Sequence, residues 1–255
     1  MWLKIPHHLT GFWLPHYGRD LTAAGSTGAG LLLAEAEAKP AGGEVVYNGV
    51  SVARGVGVQI SSPYPAGYGY AASAVINIAK EVARLGLSPS AFVAAHVEEV
   101  RNMTGLGDVL AIYTGGCLVV RIKPGAPGVG EAYSLRCPKV MLITLDLSRY
   151  DTGAMLREKA DAIREAGREL NFFKDPTFDT FLTYARQFSE RVGFMPPWAR
   201  RLLEGVPGVV GYFAKKGVLA VVAERDRWRD VAQLLAERGA IHVAELKERR
   251  VEASR

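Results

Sequence analysis

Apolar positions in the first half of the chain follow the periods of both strands and helices. Short apolar runs bounded by turn residues predict strands at residues 31–34, 44–47, 56–60 and 118–123. Apolar residues that recur every three or four positions predict helices at residues 70–85 and 89–101, and a short one from 108. Ser88 and Pro89 suit the N-cap and first position of the second helix, and Gly115-Gly116 ends the third.

The second half has a different order of elements. Its predicted strands lie at residues 139–147, 208–213, 218–223 and 241–244. Its predicted helices lie at residues 153–168, 176–191, 197–204 and 227–238. When the helices at 153–168, 176–191 and 197–204 are counted as one helical stretch, the order is strand, helix, strand, strand, helix, strand. This order is typical of a ferredoxin-like split βαβ unit. The charged tail from Glu245 onward is expected to be a frayed end.

Charged residues become denser near residue 147. Residues 1–147 contain 11 basic and 10 acidic side chains, whereas residues 148–255 contain 20 and 16. We therefore expect an α+β protein with two domains, 1–147 and 148–255. Both signs of charge are interspersed, so the net charge of +5 does not form the basic stripe that follows a phosphate backbone. We expect no nucleic-acid partner.

Composition excludes several other classes of protein. Hydrophobic residues make up 49% of the chain and charged residues 22%, as in ordinary globular proteins. No apolar run reaches the ~18 residues of a spanning helix, and the first residues lack the apolar core of a signal peptide. We therefore expect a cytoplasmic protein with no membrane partner. Cys117 and Cys137 lack the spacing of a metal site and are expected to be buried free thiols.

Glycine is enriched and concentrated in three segments. The chain has 28 glycines among 255 residues, or 11%, against about 7% in average proteins. The segments are residues 25–30, 63–74 and 104–108, and each contains or adjoins polar residues. A glycine-rich turn that leads into a helix leaves the first backbone N–H groups of that helix free for an anion. The alternative is that these glycines only form tight turns, and neither a Walker A motif nor a dinucleotide fingerprint follows a predicted strand.

The order of these segments carries a resemblance to a known family. The chain opens with Ile5-Pro6-His7-His8-Leu9-Thr10-Gly11-Phe12-Trp13, continues with Gly25-Ser26-Thr27-Gly28-Ala29-Gly30 and the Pro-x-x-x-Gly-x-Gly loop, and reaches Thr104-Gly105-Leu106-Gly107-Asp108-Val109. This series resembles the GHMP small-molecule kinase superfamily and, within it, the archaeal pantoate kinases. The resemblance implies an N-terminal ribosomal-protein-S5-like β/α domain and a C-terminal ferredoxin-like domain.

The same resemblance implies an activity and its cofactors. These are the ATP- and Mg²⁺-dependent phosphorylation of the primary hydroxyl of pantoate, a step toward coenzyme A, with a homodimer as the candidate assembly. Two alternatives stay open. One is a kinase of the same fold that acts on homoserine, shikimate or mevalonate, and the other is a nucleotide-binding regulator without catalysis.

The resemblance assigns the nucleotide to the second segment. The residues so implicated are Pro65, Gly67, Tyr68, Gly69, Tyr70, Ala71, Ala72 and Ser73. The superfamily often has two serines after the second glycine, one of which helps to hold Mg²⁺, whereas this chain has Tyr70-Ala71. Ser73 is the candidate replacement for that hydroxyl.

Catalytic roles follow from the resemblance as well. Asp108 is similar in position to the aspartate that accepts the proton of the substrate hydroxyl, and its alternative role is the N-cap of a short helix. Glu99 is similar to the Mg²⁺-binding glutamate, with Glu98 as its competitor. His8 stands where many members carry a lysine that supports the transferring phosphoryl group.

The acceptor site is less well defined by the sequence. The first glycine-rich segment suggests Ser26, Thr27 and Gly28 as substrate-binding residues, and a carboxylate on the substrate calls for a basic partner, either Arg19 or Arg121. The superfamily often has a third glycine-rich motif in its C-terminal domain. Residues 205–217 lack a GxGG cluster, which weakens any assignment of phosphate contacts to them.

Overall fold

The computed structural model describes residues 2–149, 152–168 and 172–254. The strands are β1 (Trp2–His16), β2 (Gly25–Pro40), β3 (Glu44–Tyr47), β4 (Val50–Arg54), β5 (Val58–Ser61), β6 (Leu118–Lys123), β7 (Glu131–Leu135), β8 (Val140–Asp146), β9 (Val209–Lys215), β10 (Val218–Glu224), β11 (Ile241–Glu245) and β12 (Glu252–Ser254). The helices are α1 (Ala72–Leu85), α2 (Pro89–Arg101), α3 (Asp108–Thr114), α4 (Thr152–Glu158), α5 (Ala160–Arg168), α6 (Phe178–Val192), α7 (Pro197–Leu203) and α8 (Trp228–Ala236), with a 3₁₀ turn at Phe172–Lys174. No helix in these three ranges is long and apolar enough to span a bilayer.

A large sheet dominates the first half. Its strand order is β12-β1-β2-β5-β3-β4, with β6 paired to β2 and β7 paired to β6. Strand β1 is buried along most of its length because α1 and α3 contact it as well as α5 and α6. The alternation of polar and apolar residues that marks a half-exposed strand is therefore missing from β1, which explains why the sequence pattern did not predict it.

A smaller antiparallel sheet forms the second half. Its strand order is β11-β8-β10-β9, and α6 and α8 contact it. The chain order strand, helices, strand, strand, helix, strand is the one predicted, so the expectation of a ferredoxin-like α+β unit is confirmed. The predicted helix at 153–168 is divided into α4 and α5.

The two sheets share chain segments across the predicted division at residue 147. Strand β8 precedes that residue but belongs to the smaller sheet, while β12 at the end of the chain pairs with β1. One apolar cluster also contains residues of both halves, such as Leu9, Phe181 and Val221. The domains 1–147 and 148–255 therefore stay a prediction, and sheet membership favours a division before Val140.

Two expectations from the sequence are wrong. Cys117 and Cys137 are joined by a disulfide, because folding brings their Cα atoms to 5.9 Å across 20 residues of chain. The tail beyond Glu245 is not frayed. Arg249 is buried and donates from Nη1 to the Glu35 carboxylate at 2.6 Å, and β12 then completes an edge of the large sheet.

Candidate active site

A cavity of about 300 Å³ lies where the glycine-rich segments meet the smaller sheet. The strand β1 contributes Thr10 and Trp13, and the first glycine-rich segment contributes Ser26. The rest of the lining is formed by Ala66, Gly67, Gly69, Ala71, Ala72, Ser73, Ile76, Thr104, Gly105, Leu106, Gly107, Asp108, Met155, Lys215 and Lys216. Parts of all three segments are thus brought together, with two lysines that the sequence did not indicate.

The second glycine-rich segment forms a loop whose backbone suits an anion. We call residues 66–71 the phosphate loop. Gly67, Gly69 and Ala71 have φ values of 91°, 118° and 59°, and the first two belong to the conformations that glycine adopts most readily. The first turn of α1 has no acidic residue and no side-chain cap, so its backbone N–H groups are available at the cavity wall.

Asp108 receives polar contacts from three side chains. Its Oδ1 lies 2.6 Å from Nδ1 of His8, 3.4 Å from Oγ1 of Thr10 and 3.9 Å from Nζ of Lys215. Gly107 is the N-cap of α3, so the alternative role of Asp108 as that N-cap is wrong. The carboxylate is therefore held by side chains of β1 and β9, and both strands are far from Asp108 in the sequence.

Arg121 fixes the proton on His8. Nη1 of Arg121 lies 3.3 Å from Nε2 of His8, and a guanidinium can only donate. Nε2 therefore accepts, and the single proton of a neutral imidazole is on Nδ1, from which it is donated to Asp108. Burial lowers the pKa of His8 to about 4 even though Asp108 opposes the change, so the ring is neutral at pH 7.

The charges around Asp108 keep it ionised. Burial alone would raise its pKa, but Lys215, the hydrogen bond from His8 and Arg121 together hold the pKa well below its usual range. Burial lowers the pKa of Lys215, and the neighbouring Asp108 carboxylate opposes this. The result is an ionised, partly exposed carboxylate that can accept a proton, next to a buried amine.

Glu99 lies directly behind the cavity wall. Its Oε2 accepts from the Ser73 hydroxyl at 3.0 Å, and its Oε1 accepts from Asn77 Nδ2 at 2.7 Å and Thr104 Oγ1 at 2.8 Å. Burial raises the pKa of Glu99 to about 7, and Asp108 adds to the effect. Its competitor Glu98 forms an ion pair with Arg101 at the surface and is directed elsewhere.

Gly105 separates the two carboxylates. A Cβ at this position would collide with Oε2 of Glu99 and would lie 3.1 Å from Oδ2 of Asp108. Any side chain here would therefore displace one carboxylate or the other. The φ of Gly105 is not in the left-handed region, so the backbone conformation does not favour glycine here. What favours glycine is the close approach of the two carboxylates.

The other predicted residues are divided between the cavity and its surroundings. Ser26 lines the cavity, whereas the buried Arg121 does not and lies behind the lining residues Ser26 and Gly107. In the described part of the chain, several predicted residues are not among those lining the cavity. They are Pro65, Tyr68, Tyr70, Thr27, Gly28 and the exposed Arg19, and also His8, Glu99 and Arg121, which contact the lining residues Asp108, Ser73 and Ser26 respectively. The hydroxyl of Thr27 contacts His16 instead, at 3.1 Å.

Lys215 is the functional residue that sequence reasoning missed. The segment 205–217 lacks a GxGG cluster, yet the end of β9 places Lys215, and the turn after it Lys216, at the cavity. The missing cluster therefore does not keep this segment away from the cavity. Two adjacent lysines before Gly217, between two apolar strands, were the signal available in the sequence. His8, by contrast, occupies the expected position but as a neutral donor.

In the described part of the chain, no group of three or more histidine, cysteine, aspartate or glutamate side chains could hold a metal. Glu99 and Ser73 supply a carboxylate and a hydroxyl side by side. This donor set fits Mg²⁺, which takes one or two protein oxygens and completes its coordination with waters and phosphate oxygens.

Known proteins with similar sequences are pantoate kinases. A pantoate kinase of Thermococcus kodakarensis is 30% identical over 228 residues, which cover 75% of this chain and 76% of the relative. A pantoate kinase of Methanocaldococcus jannaschii is 27% identical over 233 residues, covering 81% and 86%. No protein-family profile matches the chain.

Solved structures agree on the fold. A phosphotransferase related to the CoA biosynthesis pathway has a TM-score of 0.82 at 26% identity, with 99% of this chain and 98% of that chain covered. A mevalonate kinase superposes with a TM-score of 0.61 at 14% identity, with 98% of this chain and 99% of that chain covered. A putative homoserine kinase from Listeria monocytogenes has a TM-score of 0.62 at 13% identity, with 100% of this chain and 99% of that chain covered. The last two show the fold alone.

Proposed function

The chain belongs to the family of pantoate kinases, and on that premise we propose that it transfers the γ-phosphate of ATP to the primary hydroxyl of pantoate. The observation that carries the proposal is the ionised Asp108 in the same cavity as the phosphate loop. Phosphoryl transfer needs little covalent chemistry from the protein, so positioning and electrostatic stabilisation supply most of the rate.

Asp108 is the proposed proton acceptor. A hydroxyl that attacks the γ-phosphate loses its proton during transfer, and a carboxylate within hydrogen-bond reach can take it. His8 donates to Oδ1 of Asp108 at 2.6 Å, which leaves Oδ2 for the substrate. Because His8 is neutral, it orients the carboxylate without adding a positive charge next to it.

Lys215 is the proposed source of positive charge for the transferring group. Its amine faces the cavity 3.9 Å from Asp108, at the end of β9 and just before the turn that lies against the phosphate loop. Charge that develops on the phosphoryl oxygens in the transition state is stabilised by such a preorganised cation. The backbone N–H groups at Ala71, Ala72 and Ser73 are proposed to bind the remaining phosphates.

Glu99 and Ser73 are the proposed ligands for Mg²⁺. Their oxygens lie 3.0 Å apart; Ser73 lines the cavity, and Glu99 lies directly behind Thr104 and Gly105 of its wall. When bound, the ion neutralises charge on the phosphates of ATP. This assignment is supported by the donor chemistry alone.

Arg121 is the proposed partner of the substrate carboxylate. Neither Arg121 nor Arg19 lines the cavity, but Arg121 contacts the backbone of Ser26, which does, whereas Arg19 is exposed. A guanidinium has five N–H donors, so it can hold His8 and still bind a carboxylate.

We further propose a cytoplasmic enzyme of archaeal type, since it uses ATP and both curated relatives are archaeal. The homodimer stays a prediction for sedimentation to test.

A matched pair of variants tests the proposed base. Asp108→Asn keeps an oxygen acceptor for His8 but removes the proton acceptor, and Asp161→Asn makes the same change on exposed α5. We expect ADP release with pantoate to fall by about 10²- to 10⁴-fold in Asp108→Asn and to stay unchanged in Asp161→Asn. Calorimetry should show that both variants still bind ATP. Full turnover in Asp108→Asn would overturn the assignment.

A further inference from the structure

A buried polar network connects the phosphate loop to the smaller sheet. The side chain of Tyr70 turns away from the cavity, and its hydroxyl lies 2.6 Å from Oδ1 of Asp146 and 3.0 Å from Oγ1 of Thr144. Both partners belong to β8. The other carboxylate oxygen of Asp146 lies 3.0 Å from Nε2 of His242 on β11. The network therefore reaches two strands of the smaller sheet.

Tyr70 is the donor in this network. Its side chain is 1% exposed, and burial together with the Asp146 carboxylate raises the pKa of its phenol. The phenol keeps its proton and donates it in a hydrogen bond to Asp146, because that contact is the shorter one and its acceptor is a carboxylate. The hydroxyl of Thr144 is then free to donate to the phenol oxygen.

The backbone of the same residue is held by the large sheet. Nδ1 of His7, on β1, donates to the carbonyl oxygen of Tyr70 at 2.7 Å. The ring of Tyr70 also stacks on Tyr64, with centroids 4.5 Å apart. One residue at the end of the phosphate loop is thus fixed to β1 through its backbone and to β8 through its side chain.

The strand that receives the Tyr70 hydroxyl also positions the turn that carries Lys215. Asp146 pairs with Val218 in the register of β8 and β10. The backbone N–H of Leu147 donates to the carbonyl of Gly217 at 2.7 Å, and the N–H of Gly217 donates to the carbonyl of Tyr68 in the phosphate loop at 3.2 Å. The turn that follows Lys215 is therefore hydrogen-bonded both to the phosphate loop and to the residue just after the end of β8.

We propose that Tyr70 and Asp146 are positioning residues that set the distance between the phosphate loop and Lys215. Neither lines the cavity, so each acts through the backbone it holds. The hydrogen bond between them fixes the loop against β8, whose end also holds the turn of Lys215. This role rests on the proposed kinase function, because its consequence is the placement of ATP phosphates relative to the lysine.

Removing one oxygen atom tests the proposal. Tyr70→Phe deletes the hydroxyl and keeps the ring, while the control Tyr212→Phe deletes a buried tyrosine hydroxyl that has no hydrogen-bond partner among the described residues. We expect Tyr70→Phe to raise the KM for ATP about tenfold and to lower kcat by up to about a hundredfold, since small misplacements of reacting groups have effects of this size. The KM for pantoate should change less than twofold, and Tyr212→Phe should match the wild type.

Two further measurements separate positioning from a general loss of stability. In the double variant Tyr70→Phe with Lys215→Met, the loss of kcat should be smaller than the product of the two single losses, because both changes remove the same alignment. Losses that multiply fully would overturn the proposal. So would a Tyr70→Phe enzyme with a lower Tm but an unchanged KM for ATP.

The test also distinguishes this role from the kinase function. If the wild type shows no pantoate-dependent ADP release, the proposed function fails. ATP binding by calorimetry still tests Tyr70 in that case. Equal ATP affinity in the wild type and in Tyr70→Phe would then overturn the positioning role.

Discussion

Replacing Lys215 with methionine tests the electrostatics of the cavity most sharply. The change keeps an unbranched side chain but removes a charge 3.9 Å from Oδ1 of Asp108. At an effective dielectric constant of about 20, two unit charges at this distance attract by about 4 kcal/mol. That energy corresponds to roughly a thousandfold in the protonation equilibrium of Asp108, so the variant should have a higher pKa at this carboxyl.

The loss has two consequences that one assay can measure. With pantoate and ATP saturating, kcat at neutral pH should fall by about 10²- to 10³-fold, as when a preorganised donor to a transition state is removed. The acid limb of the kcat profile should also move toward neutral pH, because Asp108 must be ionised to accept a proton.

The control is Lys123→Met, which also changes the last residue of a strand but at an exposed ion pair. It should leave both quantities unchanged. A Lys215→Met enzyme with a normal kcat and a normal pH profile would show that Lys215 does not stabilise the transition state or the ionised form of Asp108. Circular dichroism of each variant checks that the fold is retained.

Three other perturbations have defined outcomes. Gly105→Ala should reduce kcat more than tenfold because its Cβ has no room between two carboxylates, whereas Gly42→Ala has open space and should be neutral; equal activities would contradict this. Reducing the disulfide of Cys117 and Cys137 should lower the free energy of unfolding in urea by about 3 kcal/mol, and an unchanged midpoint would contradict it. His7 has a folded pKa of about 4 against 6.5, so the unfolded state binds more protons between these values. The free energy of unfolding of the wild type should therefore fall by roughly 2 kcal/mol more from pH 7 to pH 5 than that of His7→Asn. Equal falls in the two proteins would contradict this.

The order of elements could be predicted because local patterns determine it. Helices α1 and α2 are amphipathic over more than three turns, and β8 and β10 are apolar runs of strand length. Strand β1 could not be predicted in the same way. Both of its faces are covered, and its buried positions include His7 and His8, whose hydrogen bonds are made only in the folded chain.

The site was predictable where its chemistry is local. Asp108, Glu99 and the phosphate loop lie in the glycine-rich segments or close to them. Lys215 lies more than a hundred residues from Asp108, so only the meeting of the two sheets brings them together. The disulfide and the contact of Tyr70 with Asp146 likewise depend on tertiary structure, which the spacing of residue types does not encode.

The identity of the phosphate acceptor tests the central claim most directly. ADP release should be measured with ATP and Mg²⁺ against pantoate, homoserine, shikimate and mevalonate at equal concentrations, and the phosphorylated product should be identified by phosphorus NMR. We expect rapid ADP release with pantoate and a phosphate ester on its primary hydroxyl. Robust turnover with homoserine, shikimate or mevalonate and none with pantoate would contradict it, as would ATP binding without turnover on any acceptor.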